Sequence, residues 1–171
     1  MHQLADSGIQ VLDLWRLFYS LRDSFPVYGK YNDHWTPLAI ERAAGLLGKE
    51  YGIEIRTAGK DTCFVQNWDD LRTEITRPNA RFDTIHAHIP IPTVDDSISV
   101  LIIGDSYSNF WEWKGCDISS YIKGSKRLSL RFGLEGPTLT NRVPASYLRK
   151  YKHVLWVFAE RYFSTDFVAG R

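Results

Sequence analysis

Ser106 is the residue of this chain best placed for nucleophilic chemistry. It follows the apolar run 100–103, whose β-branched residues are typical of a strand buried on both faces of a parallel sheet. Gly104 relaxes the backbone restriction where such a strand must turn sharply. A helix beginning at this turn would put Ser106 at the carboxyl end of the strand, where ligands and chemistry collect in α/β proteins.

The same turn would supply groups that hold a developing oxyanion. The N–H groups at the start of the predicted helix have no partner within the helix, so the backbone N–H of Ser106 can face the reacting carbonyl. The side chain of Asn109 is a second candidate donor. The alternative interpretation is an ordinary strand-to-helix turn in which Asp105 or Ser106 only caps the helix.

His34 is the best-placed histidine to serve as the base for such a serine. Thr36 and Pro37 predict the N-cap and first residue of a helix, whose positive end favours a neutral imidazole just ahead of it. In an extended segment Asn32 would lie beside His34, whereas Asp33 would point across unless the chain turns there. An asparagine can orient an imidazole but stabilises an imidazolium less than a carboxylate does. The alternative is a surface histidine beside a helix cap.

The remaining histidines and the cysteines give weaker signals. His86 and His88 would face the same side of a strand, as two metal ligands could. No third ligand follows at a spacing typical of metal sites, so we predict neither a metal site nor a cofactor. The spacing of Cys63 and Cys116 leaves open whether they pair or stay as thiols.

The composition indicates one globular domain. The chain has 171 residues, with 44% hydrophobic and 24% charged residues. A net charge of +1 gives no basis for binding nucleic acid or an anionic membrane surface, and no apolar run approaches the length of a membrane span. The first 14 residues contain acids and lack the apolar centre of a signal peptide. The high aromatic share, 14%, fits a packed core or a groove that stacks on sugars.

Predicted strands and helices alternate along the chain, which favours an α/β fold with a mainly parallel sheet. The apolar and β-branched runs predict strands over 8–14, 62–65, 84–91, 100–103, 127–132 and 153–158. Helical spacing and caps predict helices over 15–23 (with Asp13 as the N-cap), 37–51, 110–124 and 146–151. The segment 53–96 is the least informative part of the sequence.

Three stretches, in this order, resemble the SGNH-hydrolase-like domain of the alginate O-acetyltransferases of the AlgJ and AlgX type. They are Asn-Asp-His-Trp-Thr-Pro at 32–37, Gly-Asp-Ser-Tyr-Ser at 104–108 and Val-Leu-Trp-Val-Phe-Ala-Glu-Arg-Tyr at 154–162. The opening segment 8–14 is similar to the strand that precedes the histidine motif in that family. The histidine motif comes before the serine motif, the reverse of the order in ordinary SGNH esterases.

The resemblance implies a three-layer α/β/α, flavodoxin-like domain over residues 1–171, located in the bacterial periplasm and needing no cofactor. Such domains move acetyl groups onto hydroxyls of an exported polysaccharide, and they take the acetyl group from a membrane-bound O-acyltransferase partner. The resemblance also implies that the domain lacks its N-terminal part, because the family has a further strand ahead of the region where this chain begins. A missing sheet edge would favour self-association.

Carried over residue by residue, the resemblance makes Ser106 the nucleophile and His34 the general base. The family's aspartate falls at Asn32, so either Asp33 substitutes for it after a small shift or Asn32 gives a slower catalyst.

Three functions follow in order of preference. The first is acetyl transfer to a polysaccharide, with Tyr107, Trp111 and Trp113 lining the sugar groove. Core packing is the alternative role for at least one of these three rings. The second function is hydrolysis of acetyl esters by the same site, and the third is an inactive domain that binds polysaccharide.

Overall fold

The computed structural model describes residues 10–67, 81–92, 97–129 and 143–157. Its centre is a parallel sheet of three strands in the order β4-β3-β5, where β3 is Val100–Gly104, β4 is Ser125–Ser129 and β5 is His153–Val157. Every residue of β3 is buried. The apolar run before Ser106 is therefore the middle strand of the sheet, as its composition predicts.

Helices lie on both faces of this sheet. Leu101 and Ile103 point to one face and pack with residues of helix α5 (Ala145–Leu148). Val100 and Ile102 point to the opposite face and join the larger core, which includes residues of helices α1 (Leu14–Leu21) and α2 (Pro37–Tyr51). This alternation along β3 confirms the predicted α/β/α layering.

Helix α1 overturns the strand predicted over 8–14. Residues 10–13 are irregular, and Leu14 already belongs to the helix. The Asp13 side chain accepts hydrogen bonds from the backbone N–H groups of Trp15 and Arg16, so this acid caps a helix where the apolar pattern favoured a strand. Positions 8 and 9 lie outside the described residues.

Helix α2 begins and ends where the sequence predicts. The Thr36 hydroxyl accepts a hydrogen bond from the backbone N–H of Ala39, and Pro37 is the first helical residue. Gly52 ends the helix in the left-handed conformation, with φ at +66°, and its N–H bonds to the carbonyl of Gly48. This well-defined start matters for function because His34 lies two residues before the cap.

Strands β1 (Asp61–Asn67) and β2 (Phe82–His88) form a separate antiparallel hairpin. Both strands were expected, although β2 ends at His88 rather than at position 91. Ile85 and Ala87 are buried in the core that they share with α2. The hairpin is therefore an addition to the parallel sheet and not a further strand of it.

The single helix expected over 110–124 is wrong. Helix α3 (Ser106–Asn109) ends before this range, which holds two short elements instead: a 3₁₀ turn (Glu112–Lys114) and helix α4 (Ile118–Tyr121). Gly115, with φ at +66°, ends the 3₁₀ turn, and the buried carboxylate of Asp117 caps α4. These two local signals override the spacing of the aromatic residues.

The strand and helix near the C-terminus are of the predicted types, but their first and last residues differ from the predicted ones. Strand β4 covers 125–129 rather than 127–132, and α5 covers 145–148 rather than 146–151. Residues 130–142 and 158–171 lie outside the described part of the chain, and so does the Glu-Arg of the third motif.

Cys63 and Cys116 are free thiols, which settles the question of their pairing. Cys63 is exposed, whereas Cys116 is fully buried, and this burial raises the pKa of the Cys116 thiol to about 11. Within the described ranges, no helix is both long and apolar enough to cross a membrane.

Candidate active site

Ser106 lies at the carboxyl end of β3, as the first residue of α3, and its side chain is exposed. The turn that carries it requires glycine at 104. A Cβ there would lie 2.3 Å from the carbonyl oxygen of Val157 on β5 and 2.6 Å from Cβ of Ser108. The glycine thus lets the neighbouring strand and the helix close tightly behind the serine.

Asp105 stabilises the turn that carries Ser106. It is 3% exposed, its N–H donates to the carbonyl of Val157 (3.2 Å), and its carboxylate accepts from the N–H of Tyr107 (2.8 Å). Asp105 is therefore the N-cap of α3, as the alternative interpretation proposed, but the capping role leaves Ser106 exposed above it.

His34 reaches Ser106 from a loop 72 residues earlier in the chain, with its Nε2 2.7 Å from the serine Oγ. The loop is closed at its base. The N–H of Thr36 donates to the carbonyl of Val27 (2.8 Å), and that of Gly29 donates to the carbonyl of His34 (3.1 Å). The structure therefore brings together the histidine and serine that the sequence singled out.

The position of Asn32 fixes the tautomer of His34. The backbone N–H of His34 can only donate, and it points to Asn32 at 2.8 Å, so the atom that it reaches is the amide oxygen. The same oxygen contacts Nδ1 of the imidazole, which must therefore carry the proton. In the neutral imidazole, Nε2 then has a lone pair directed at the Ser106 hydroxyl, which is what a general base requires.

Asp33 is also beside the imidazole, but as a second partner. Its Oδ1 lies 3.3 Å from Nδ1 of His34, and its side chain is 56% exposed against 12% for His34. Asn32 makes the closer contact, so of the two alternatives left open by the sequence the structure favours Asn32 as the orienting group.

Two aromatic rings of the serine segment pack against the imidazole. The Phe110 ring is stacked on it, with ring centroids 4.0 Å apart and planes 13° apart, and the Tyr107 ring lies 4.9 Å away at 31°. The Tyr107 hydroxyl also donates to the backbone carbonyl of Asp33 (2.9 Å). Sequence reasoning missed the role of Phe110, although a residue four after Ser106 on a helix lies on the same face.

Two indole N–H groups tie the histidine loop to the serine segment in both directions. Nε1 of Trp35 donates to the carbonyl of Tyr107 (2.6 Å), and Nε1 of Trp111 donates to the carbonyl of Trp35 (2.7 Å). Because both bonds join Trp35 to the segment that follows Ser106, they help to fix the distance between base and nucleophile.

The burial of Trp111 corrects one predicted role. This ring is 0% exposed and belongs to the larger core, so it does not line a sugar groove. Its indole finds its hydrogen-bond partner inside the protein, which is why so large a ring can be buried completely. Trp113 is 59% exposed and Tyr107 is half-buried, so these two rings stay available to a ligand.

Asn109 is one helical turn after Ser106 on α3, which puts both residues on one face of the turn. The N–H of Tyr107 is occupied by the Asp105 carboxylate. The backbone N–H of Ser106 and the side chain of Asn109 therefore stay the predicted oxyanion donors.

The two histidines of the other pair have different surroundings. Nδ1 of His88 lies 2.7 Å from Glu41 and its Nε2 lies 3.9 Å from Asp61, while His86 is exposed on the hairpin. No group of three or more His, Cys, Asp or Glu side chains in the described ranges is arranged to hold a metal ion.

The whole arrangement has the geometry that a serine nucleophile and a histidine base require. A hydroxyl hydrogen-bonded to such an imidazole loses its proton as it attacks a carbonyl, and the ring nitrogen on the far side is held by a hydrogen-bond acceptor. This arrangement suits acyl transfer through an ester on Ser106.

Comparison with known proteins gives a likeness of fold. No protein-family model matches the sequence, and no curated protein matches it. The O-acetyltransferase domain of Pseudomonas putida AlgJ superposes with a TM-score of 0.60 and 19% sequence identity over 94% of this chain. AlgX of Pseudomonas aeruginosa has 18% identity over 92% of this chain and 41% of its own, with a TM-score of 0.45, too low to support an argument.

This chain spans 63% of the AlgJ chain. The resemblance inferred from the motifs is thus confirmed at the level of fold: this chain has the α/β/α fold of the AlgJ O-acetyltransferase domain.

Proposed function

We propose that this chain is a serine-dependent O-acetyltransferase that moves an acetyl group onto hydroxyls of a polysaccharide. The observation that carries the proposal is the 2.7 Å contact between Nε2 of His34 and Oγ of Ser106, with Nδ1 of the same ring held by the amide oxygen of Asn32. The likeness of fold to the AlgJ O-acetyltransferase domain supports acetyl transfer over other acyl chemistry.

The first half of the reaction forms an ester on the enzyme. Ser106 Oγ attacks the acetyl carbonyl of the donor while its proton passes to Nε2 of His34. The tetrahedral oxyanion is held by the N–H of Ser106 and by Asn109. The donor's leaving group then departs with the proton from His34, and the acetyl group stays on Ser106.

The second half transfers the acetyl group to the acceptor. A sugar hydroxyl gives its proton to Nε2 of His34 and attacks the serine ester, and the proton returns to Ser106 Oγ as the ester breaks. Tyr107 and Trp113 offer the aromatic faces on which the acceptor sugar stacks.

The cellular setting belongs to the same proposal. By the resemblance of its motifs, the chain acts in the periplasm, where a membrane-bound O-acyltransferase supplies the acetyl group and an exported polysaccharide accepts it. The resemblance of the motifs to the alginate O-acetyltransferases, with the likeness of fold to the AlgJ domain, makes an alginate-like acceptor the first polysaccharide to test.

Hydrolysis is the second candidate function, and the exposure of Ser106 favours it. Water can reach an ester on an exposed serine, and the first half of the reaction would be the same. Only the acceptor in the second half distinguishes the two functions.

The test compares acceptors. The parent protein and Ser106→Ala are incubated with an activated acetyl ester, with and without oligosaccharides of an unacetylated bacterial polysaccharide, and the products are separated by mass. Transfer predicts acetylated oligosaccharide from the parent and none from Ser106→Ala. Release of free acetate at one rate, whether or not the glycan is present, would support the esterase and contradict transfer.

A further inference from the structure

We propose that Phe110 is a positioning residue for the base: its ring sets the plane of the His34 imidazole against the Ser106 hydroxyl. The inference rests on the proposed function, in which His34 takes the proton of Ser106. It assigns a task to a side chain that neither bears chemistry nor belongs to the three sequence motifs.

The Phe110 ring restricts how the His34 imidazole can tilt. The rings of Phe110 and His34 are nearly parallel, at 13°, with centroids 4.0 Å apart, so rotation of the imidazole out of its plane would collide with the phenyl ring. The imidazole is also bound at both of its nitrogens, by Asn32 and by Ser106. These contacts fix the direction of the Nε2 lone pair, and Phe110 fixes the tilt of the plane that contains it.

Ser106 and Phe110 lie on one turn of the chain. The backbone N–H of Phe110 donates to the carbonyl of Ser106 at 2.8 Å, closing the turn of α3. The Phe110 ring is held in its turn by Trp111, whose ring meets it edge-on with centroids 4.9 Å apart. Any movement of the serine therefore carries the stacking surface with it, and the base follows.

The Phe110 ring also faces the positive charge that His34 acquires during the reaction. When Nε2 accepts the serine proton, the ring becomes a cation, and an amide such as Asn32 stabilises that cation less than a carboxylate does. An aromatic face within about 6 Å attracts a cation. Phe110 thus offers to the imidazolium part of the stabilisation that the amide lacks, while Asp33 Oδ1, 3.3 Å from Nδ1, is the charged group facing the ring in the described site.

The test uses three variants of the full chain and an activated acetyl ester. Phe110→Leu keeps an apolar side chain but removes the flat ring, and Phe110→Tyr keeps the ring. Phe25→Leu is the matched control, because Phe25 is a partly buried phenyl ring packed on the same core without a ring contact to His34. Thermal unfolding of each variant shows that the rates are measured on folded protein.

We expect Phe110→Leu to lower kcat for acylation by about tenfold with little change in KM, because loss of the stack affects the reacting geometry. Phe110→Tyr and Phe25→Leu should stay within about twofold of the parent. A merely structural role predicts equal losses for Phe110→Leu and Phe25→Leu, and that outcome would overturn the inference. An unchanged rate in Phe110→Leu would overturn it too.

Proton NMR of the His34 ring gives a readout independent of turnover. Protons above the face of a phenyl ring are shielded, so the ring protons of His34 should lie upfield in the parent and in Phe110→Tyr and move downfield in Phe110→Leu. Unmoved signals in an active protein overturn the positioning role alone. An inactive but folded parent overturns the proposed function as well, so the two failures are distinguishable.

Discussion

His34 and His88 occupy two regions of the molecule that differ in what surrounds a partly buried histidine. His88, at the end of the β1–β2 hairpin, has the stronger orienting partner, because the Glu41 carboxylate lies 2.7 Å from its Nδ1. His34 has the neutral amide of Asn32 in the same place. However, Nε2 of His34 faces the Ser106 hydroxyl at 2.7 Å, whereas Nε2 of His88 faces a second acid, Asp61, at 3.9 Å.

The difference shows that position in the fold, more than the quality of the orienting group, makes a histidine a catalytic candidate. His34 lies at the carboxyl end of the central parallel strand, where a helix start presents a serine. His88 lies on a hairpin outside that sheet, where its contact with Glu41 joins the hairpin to helix α2.

The largest effect is expected from replacing His34 by glutamine, and the same replacement at His88 serves as the comparison. His34→Gln should lower the rate of ester formation by about 10³-fold, because it removes the general base. His88→Gln should leave the rate within about twofold, because the contacts of His88 with Glu41 and Asp61 lie outside the site and their loss affects stability instead. Stopped-flow acylation with an activated acetyl ester measures both. Equal losses in the two variants would contradict the contrast.

The next effect concerns the orienting groups. Asn32→Ala should lower the rate by roughly 10-fold to 100-fold, because Nδ1 loses its closest acceptor. Asn32→Asp should raise it by roughly tenfold, because a carboxylate forms the stronger hydrogen bond to the imidazolium. Asp33→Ala, at the more distant and exposed partner, should change the rate by about twofold. Acylation rates of the three variants rank the partners, and a larger loss in Asp33→Ala than in Asn32→Ala would assign the orienting role to Asp33.

A smaller effect, on stability, distinguishes the turn behind Ser106 from an open helix position. Gly104→Ala should lower the free energy of unfolding by about 2 kcal/mol, since the new methyl group meets the carbonyl of Val157 at 2.3 Å. Gly45→Ala, in helix α2 with no atom within 4 Å of the added methyl group, should raise it by about 0.5–1 kcal/mol. Urea unfolding of both variants checks the signs, and a neutral Gly104→Ala would show that the turn is looser than described.

The smallest expected effect is the difference in reactivity between the two thiols, Cys63 and Cys116. At pH 8 a thiol reagent should modify Cys63 in the folded protein and both cysteines after unfolding, because Cys116 is buried and its pKa is raised to about 11. A thiol whose pKa is raised on folding binds its proton more tightly in the folded state. Its contribution to stability should therefore be lost as the pH rises from about 9 toward about 11. Rapid modification of both thiols at pH 8 would contradict the buried position of Cys116.

Local signals in the sequence predicted the parts that make the site. The cap at Thr36 placed His34 before a helix, and the apolar run before Gly104 placed Ser106 after the central strand. Asn32 was also predicted to lie beside His34, on the assumption of an extended segment. The chain bends at 33 and 34 instead, which brings Asp33 to the same ring as well.

Unrecognised local caps and distant tertiary contacts account for the parts that were predicted wrongly. The spacing of Phe110, Trp111 and Trp113 predicted one helix, but the capping carboxylate of Asp117 and the turn at Gly115 divided it. Trp111 was expected to meet a sugar and is buried instead, because its indole bonds to a loop far away in the sequence. Such a partner cannot be recognised from neighbouring residues alone.

The central claim is that Ser106 is a nucleophile activated by His34, and the mass of the intact protein tests it most directly. The parent, Ser106→Ala and the exposed control Ser146→Ala are incubated with an activated acetyl ester while circular dichroism confirms that each is folded. We expect one added acetyl group on the parent and on Ser146→Ala, located at Ser106 by peptide mapping, and none on Ser106→Ala. A folded parent that neither gains an acetyl group nor releases the leaving group would contradict it.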